Sequence, residues 1–514
     1  MTDTDVAVVG AGHNGLVAAH YLARAGLRVE LFERRPFVGG AAITEELWPG
    51  YRFSTCAHMT HALHPKVIRD LRLVERGLEV IPRTFSVQLR PDGTYDAAEE
   101  HAWPRNRATR LSAAERDADR RYAEFKATLR AIFAPYRLRV PPTPDEVRRD
   151  LDGRPAATVF ERALAARVSD LQAELLPTDE LRERYAAEVA SIGRDPWALA
   201  LAYGSISEPD PETGQRPPNG YVRGGTGVLS QLLAAAAEEA GARIHLGRAA
   251  DRLLVEDGAA IGVRLADGTA VRARLVVSNL DPKRTFGQLV PDGAVPGELR
   301  RRVDGLVTEV SCLKLLAVVS ELPEWTAWDG DPALPGTGLV GLSRSRAEVA
   351  AAYDDLEAGR PPRAPMINFS VPSVLDPSLA QPGGHTASLW IYPAVGRLRD
   401  GSWDDVRDRV ADRLVEQITA CAPNFRGSIR QLKLRTPLDL ERENGLTDGC
   451  IWHVQHGGDQ LFWRRPLPEL AAYRAPLRGL YLCGAGQHPG GEISGLPGHN
   501  AAQEAIADLE RGVV

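Results

Sequence analysis

The sequence predicts an α/β fold in two interleaved parts: a discontinuous parallel-sheet domain, and an α+β domain inserted between its pieces. Three observations lead there. A strand, a glycine loop, a helix and a second strand open the chain at residues 5 to 34. A helix followed by strands with two Asp-Gly turns fills residues 220 to 280. A strand, a glycine-rich loop and a closing helix end it.

In order, Val6 to Val9 is a short apolar run of strand type, and Gly10, Gly12 and Gly15 spell G-x-G-x-x-G. Leu16, Ala19, Leu22 and Ala23 then recur at helical spacing, Gly26 breaks the helix, and Arg28 to Phe32 forms a second strand ending at Glu33. This is a complete βαβ unit of Rossmann type. Gly10 permits the tight turn, Gly12 lets backbone approach a pyrophosphate, and Gly15 lets helix and strand pack closely. The helix N-terminus, with its unpaired N–H groups and positive dipole end, suits the pyrophosphate, and Glu33 suits a ribose diol. From about 105 to 190 the composition turns to Arg, Glu, Ala and Leu, which predicts helices with solvated charged faces. The stretch SEPDPETGQRPPNG reads as an exposed loop. After it, GGTGVLSQLLAAAAEEAGARIHLG predicts glycines, a helix and a strand, and the turns Asp257-Gly258 and Asp267-Gly268 predict a three-stranded antiparallel meander. Residues 286 to about 465 mix strands and helices with many prolines. The closing strand, loop and helix either return to the first sheet or form a separate cap.

The first reading places the cofactor domain at 1–85, 220–285 and 470–514, and the substrate domain at 86–219 and 286–469. A chain of 514 residues is long enough for two to three domains, and 44% hydrophobic with 25% charged residues is ordinary for a globular protein. The balance of 62 basic against 68 acidic residues, without a basic block interleaved with aromatics, gives no sign of a nucleic-acid partner. Cys56, Cys312, Cys421, Cys450 and Cys483 are scattered, which argues against a zinc site or a dithiol centre and fits a reducing cytoplasm. The acidic MTDTD start does not read as a signal peptide, and no run of 18 apolar residues predicts a membrane span. Peripheral membrane contact stays open, and oligomeric state is not legible.

The first motif alone allows NAD or FAD. The adjacent pair Gly39-Gly40 just past the second strand offers backbone N–H groups to phosphate or ribose, a feature that nicotinamide domains do not usually need. Arg34 suggests a 2′-phosphate, but Glu33 beside it would repel one, so bordering the adenosine is its simpler role.

Taken together, GAGHNG, ERRPFVGG, VRGGTGVLSQLL, GARIHLGRAADRL and GLYLCGAGQHPGGEISGLPGHNAA resemble the phytoene-desaturase-like flavoproteins. Within that group they are most similar to the branch of pyridine nucleotide-disulfide oxidoreductase domain-containing protein 2, and the C-terminal glycine loop, STC at 54 to 56 and DQLFWRRP at 459 to 466 are its more particular motifs. The resemblance implies a discontinuous FAD domain of glutathione-reductase type and FAD held without a covalent link. It implies that Gly10, Gly12 and Gly15 hold the pyrophosphate, and that Glu33 and Arg34 border the adenosine. Gly39, Gly40 and Ala41 would lie along the ribityl and phosphate region. Ala250 stands where the family usually has a valine whose backbone pairs with adenine. Gly484, Gly486 and the stretch Glu492, Ile493 to Gly495 would approach the second phosphate, ribityl chain and flavin ring. A carboxylate at 492 departs from the small residue usual there.

Such flavoproteins take a hydride from a small-molecule substrate to flavin N5 and release a proton to solvent or a base. Histidines suit the proton, and they cluster here: His58, His61 and His64; His453 and His456; His488 and His499. His453 and His488 match family histidines and are the expected catalytic candidates near the flavin. The spacing of His58 and His61 resembles two metal ligands on one helix face, but no third ligand is evident and no metal is expected. HMTHALHP is more polar than the family usually shows, which points to a more polar substrate than a carotenoid. The expected activity is that of a desaturase or dehydrogenase acting on a C–C or C–N bond of a largely apolar small molecule. A flavin-dependent amine oxidase and a redox-neutral isomerase or saturase share the fold. A flavin-free binding protein, like the escort proteins of prenylated GTPases, would not need so intact a glycine set.

Overall fold

The protein is described here from a computed structural model covering residues 4–90, 93–99, 111–457 and 460–514. Residues 105–110 of the expected helical stretch and Asp459 of DQLFWRRP lie outside the described residues.

A sheet of seven strands is built around Thr4–Val9. Val29–Phe32 lies parallel on one side, followed by Arg243–His245, and the end of Ala270–Ser278 lies parallel on the other. Leu480–Leu482 adds in parallel to Ala270–Ser278 through Val276, Val277 and Ser278, so the last strand of the chain joins the sheet that the first strand began. Val6, Val8, Leu31, Leu275 and Val277 are fully or almost fully buried, as expected of a sheet covered on both faces. The helices His13–Arg24, Thr226–Glu239 and Leu496–Glu510 cover one face, where Leu16, Leu22, Leu229, Leu233, Ala501 and Ala505 share a core. The first helix starts at His13, three residues before its apolar periodicity becomes visible. Its N-cap is Gly12, whose carbonyl accepts from Leu16 N at 3.0 Å.

The expected meander is present as Ala250–Glu256, Ala259–Leu265 and Ala270–Ser278. At its first turn Asp257 and Gly258 both take positive φ (47° and 70°), the backbone that a tight two-residue hairpin requires. At the second, Thr269 N donates to Asp267 Oδ1 at 3.0 Å.

The second sheet runs Ile429–Arg435, Val310–Val319, His385–Val395, Met366–Ser370, Leu339–Leu342, Phe85–Leu89 and Tyr95–Glu99. All its pairs are antiparallel except Leu339–Leu342 with Phe85–Leu89. Alternation divides its faces. Leu313, Leu315, Ala317, Leu389 and Ile391 pack on the helix Trp403–Thr419 through Leu414, Val415 and Ile418, while Cys312, Trp390, Asn368 and Leu339 face the cavity described below. Helices form a third body. Ala113–Phe133 begins with a Ser112–Glu115 capping box worth about 1 kcal/mol. Tyr122, Phe125, Leu129 and Phe133 recur on its buried side against Phe160, Leu171, Leu199 and Phe462. Among the described residues no helix is long and apolar enough to cross a membrane.

Residues 57–64 are irregular rather than helical. His58 and His61 therefore do not share a helix face, and the spacing that resembled a pair of metal ligands has no such geometry behind it. His64 instead caps the helix Pro65–Asp70, its Nδ1 accepting from Lys66 N at 3.2 Å.

Candidate functional site

One cavity of about 760 Å³ runs from the glycine loop of the parallel sheet to the inner face of the antiparallel sheet. At its first end Gly10 and Gly12 line the wall where Thr4–Val9 gives way to the helix. Asn279, just past Ala270–Ser278, donates from Nδ2 to Gly10 O at 3.3 Å. Gly15 lies behind this loop: a Cβ there would collide with Gly10 O and sit 3.1–3.2 Å from the Asn279 side chain. Only glycine lets the helix start this close to the strand. Gly39 (φ 125°) bridges to Gly12 and donates from its N to Ala11 O at 2.8 Å. Gly40 and Ala41 then line the wall, and the Gly40 carbonyl accepts from Arg35 Nη2 at 2.7 Å and Asn444 Nδ2 at 3.0 Å.

Glu33 lines the same end and is 6% exposed. Its carboxylate accepts from Ala11 N and Arg35 N, both at 2.9 Å, which fixes it beside the loop. Arg34 lines the cavity too, but its Nη2 donates to the carbonyls of Arg442 and Glu443 at 3.2 and 3.0 Å. It thus caps the helix Pro437–Asn444 at the end where the dipole favours a cation. Ala250 lines the wall next to Ala249.

Toward the other end, the loop after Leu480–Leu482 contributes Ala485, Glu492 and Ile493. Gly484 and Gly486 stand behind it. A Cβ on Gly484 would meet His453 Nδ1 at 2.9 Å, and one on Gly486 would meet Pro282 at 2.8 Å. Gly495 (φ 73°) is the N-cap of the closing helix and packs on Val67 and Val17, away from the wall. Glu492 also takes a positive φ (65°), and its carboxylate sits 3.5 Å from Trp452 Nε1 and 3.7 Å from His61 Nε2.

The two candidate histidines separate. His453 lines the cavity, its Nδ1 is buried with no hydrogen-bond partner among the described residues, and burial, with Arg465 and Arg284 adding to it, pulls its pKa down to about 3. His488 does not line the cavity. Its Nε2 lies 3.0 Å from Tyr136 O, its ring packs near Phe462, and burial holds its pKa at about 4. It ties the closing loop to the helical body, so of the two expected histidines only His453 stands on this wall.

Several residues on or beside the wall escaped the sequence reading. His13, inside GAGHNG, lines the cavity with its pKa pulled to about 4 by burial and by His453. Trp452, adjacent to His453, could have been noticed on that ground. Lys314 had a visible signal as the sole charge in VSCLKLLAVV. It is 1% exposed, its Nζ has no partner among the described residues, and burial lowers its pKa to about 8 beside Cys56 and Cys312, which both line the cavity. Arg83, Arg130, Trp390 and Asn368 carried no signal, since only the fold brings them to one wall.

Comparison with known proteins is consistent with this geometry. Residues 8–72 match the family model described as NAD(P)-binding Rossmann-like domain. The chain is 33% identical to the mouse (Mus musculus) pyridine nucleotide-disulfide oxidoreductase domain-containing protein 2, with 98% of this chain and 94% of that protein covered. It is 26% identical to the lycopene-forming phytoene desaturase of Pseudescherichia vulneris, with 98% of both covered. Among solved structures, a triple mutant of putrescine oxidase aligns with a TM-score of 0.64 at 17% identity over 99% of both chains, a likeness of fold.

Proposed function

The chain belongs to the oxidoreductase family of pyridine nucleotide-disulfide oxidoreductase domain-containing protein 2, and on that premise we propose that it is a FAD-dependent desaturase or dehydrogenase of a largely apolar small molecule. The observation that carries the reading is one continuous cavity joining a dinucleotide cradle to the inner face of a second sheet. A redox cofactor and a substrate placed in it would meet end to end. The division into a cofactor unit (1–85, 220–285 and 470–514) and a substrate unit (86–219 and 286–469) is part of this proposal, supported by the sheet to which each segment's strands belong.

The cradle fits a dinucleotide. A Cβ on Gly12 would lie 2.7 Å from Asn279 Nδ2, and one on Gly40 would lie 3.0 Å from Gly12 Cα, so the bare backbone leaves the approach that a diphosphate needs. Gly10, Gly12, Gly40 and Ala41 would hold the phosphates and ribityl chain, Glu33 the ribose diol, and Ala250 the adenine edge. Ala485, Glu492 and Ile493 would border the ring. Bound FAD supplies the acceptor for a hydride removed from a C–C or C–N single bond. This chain's residues do the rest. Trp390 and Trp452 shield the reacting end from water and orient an apolar substrate. His453 stays neutral at physiological pH and offers an unpartnered nitrogen that would take the substrate's proton, and Glu492, 3.7 Å from His61, would border the same end.

The test is the visible absorption of the purified protein before and after acid precipitation. Flavin bands released into the supernatant are the expected result. A colourless protein that also takes up no added FAD would overturn the reading.

A further inference from the structure

The charges on the cavity wall do not cancel, and the residue is localised. Four carboxylates line it, each already engaged. Glu33 accepts from Ala11 N and Arg35 N; Asp281 accepts from Arg284 N and Thr447 Oγ1; Glu208 faces Arg216 at 3.8 Å; Glu492 faces His61 and Trp452. Of the six arginines on the wall, Arg34 is spent on helix carbonyls, Arg35 on Glu33 and Gly40 O, Arg284 on Asp281 and Arg216 on Glu208. Arg83 and Arg130 remain, and neither has an ion-pair or side-chain hydrogen-bond partner among the described residues.

Both come from segments outside the glycine cradle. Arg83 directly follows Val80–Pro82, which pairs with Gly220–Val222, and its backbone N donates to Asn219 O at 3.2 Å. Arg130 extends from the helix Ala113–Phe133 across Gly204, where a Cβ would collide with its Nε. That Nε is buried and unpartnered. Burial also lowers the pKa of Arg83, with no carboxylate beside it to restore it. A half-buried guanidinium without a counter-charge is unfavourable unless a ligand supplies one, and its planar fork of donors matches a carboxylate. The same wall carries the apolar side chains of Met59, Leu339, Trp390, Ile451 and Trp452, with His58, His61 and Asn368 among them.

Building on the proposed function, we propose that Arg83 and Arg130 recognise a carboxylate on the substrate, which is therefore an amphiphile with an apolar body and an acidic head. The arginines set specificity and register; they take no part in the redox step.

The experiment titrates the flavin-loaded protein with hydrocinnamate, hydrocinnamyl alcohol and hydrocinnamylamine, followed by isothermal calorimetry and by perturbation of the visible spectrum. The acid is expected to bind at least tenfold more tightly than the alcohol or the amine. Arg83→Gln and Arg130→Gln should each lose that preference by tenfold or more while leaving alcohol binding unchanged. Arg83→Lys and Arg130→Lys should recover part of it, and Arg252→Gln, on an exposed strand, should behave as wild type. Equal binding of the three probes, a preference for the amine, or Gln variants with wild-type preference would overturn the inference. So would loss of flavin from both Gln variants with the preference intact, which would assign the arginines to the cofactor diphosphate. If the purified protein holds no flavin, the proposed function falls, and calorimetry on the same protein still decides the carboxylate preference.

Discussion

Lys314→Met tests how the buried face of the antiparallel sheet tolerates its single lysine. Lys314 sits mid-strand, cross-strand from Trp390 and Arg435, 1% exposed and without a hydrogen-bond partner among the described residues. Its pKa, held at about 8 instead of 10.5, corresponds to about 3 kcal/mol of disfavoured charge at 1.36 kcal/mol per pKa unit. Because the folded pKa is the lower one, the unfolded chain binds more protons between about pH 8 and 10.5, and stability must rise with pH in that window. Below it the lysine is charged in both states and the full penalty applies. Methionine fills similar volume without the charge. Lys314→Met is therefore expected to be more stable than wild type by about 3 kcal/mol at about pH 7, with the difference shrinking to near zero by about pH 10.5. Urea unfolding of both proteins across this range measures it, and titrations common to both cancel in the difference. A gap that does not change with pH, or a variant less stable than wild type near neutrality, would refute the reasoning.

Other substitutions probe the cofactor end. Gly15→Ala puts a Cβ onto Gly10 O, so the helix His13–Arg24 must move off the strand at a cost of about 1–3 kcal/mol; thermal unfolding should show the loss, with FAD retention falling in parallel. Glu33→Gln replaces an acceptor of two backbone N–H groups with a side chain that can accept from only one of them, and FAD affinity measured by fluorescence titration should fall about tenfold. His488→Ala removes the contact with Tyr136 O and leaves a void in the closing loop, with an expected stability loss of about 2 kcal/mol. Its kcat/KM should stay near wild type, whereas His453→Ala should change kcat/KM with little effect on the unfolding midpoint.

What was legible in the sequence is what short spacing controls. The glycines at 10, 12 and 15, the carboxylate at 33 and the pair at 39 and 40 all lie within one βαβ unit, where backbone geometry alone dictates residue type. The two Asp-Gly turns announced the meander for the same reason. The closing segment showed its strand, loop and helix, but its pairing with Ala270–Ser278 is a contact across some 200 residues and had to be found in the fold. His453 and His488 were indistinguishable as letters. Only packing turned one into the cavity wall and the other against Tyr136. The substrate end is the extreme case: Arg83, Arg130, Leu339 and Trp390 come from four separate segments of the chain, and no local rule links them. Local backbone constraints are written in adjacent residues and determine where a dinucleotide can sit. The charge balance of a cavity depends on which distant side chains find partners and which do not, and that is settled only when the chain is packed.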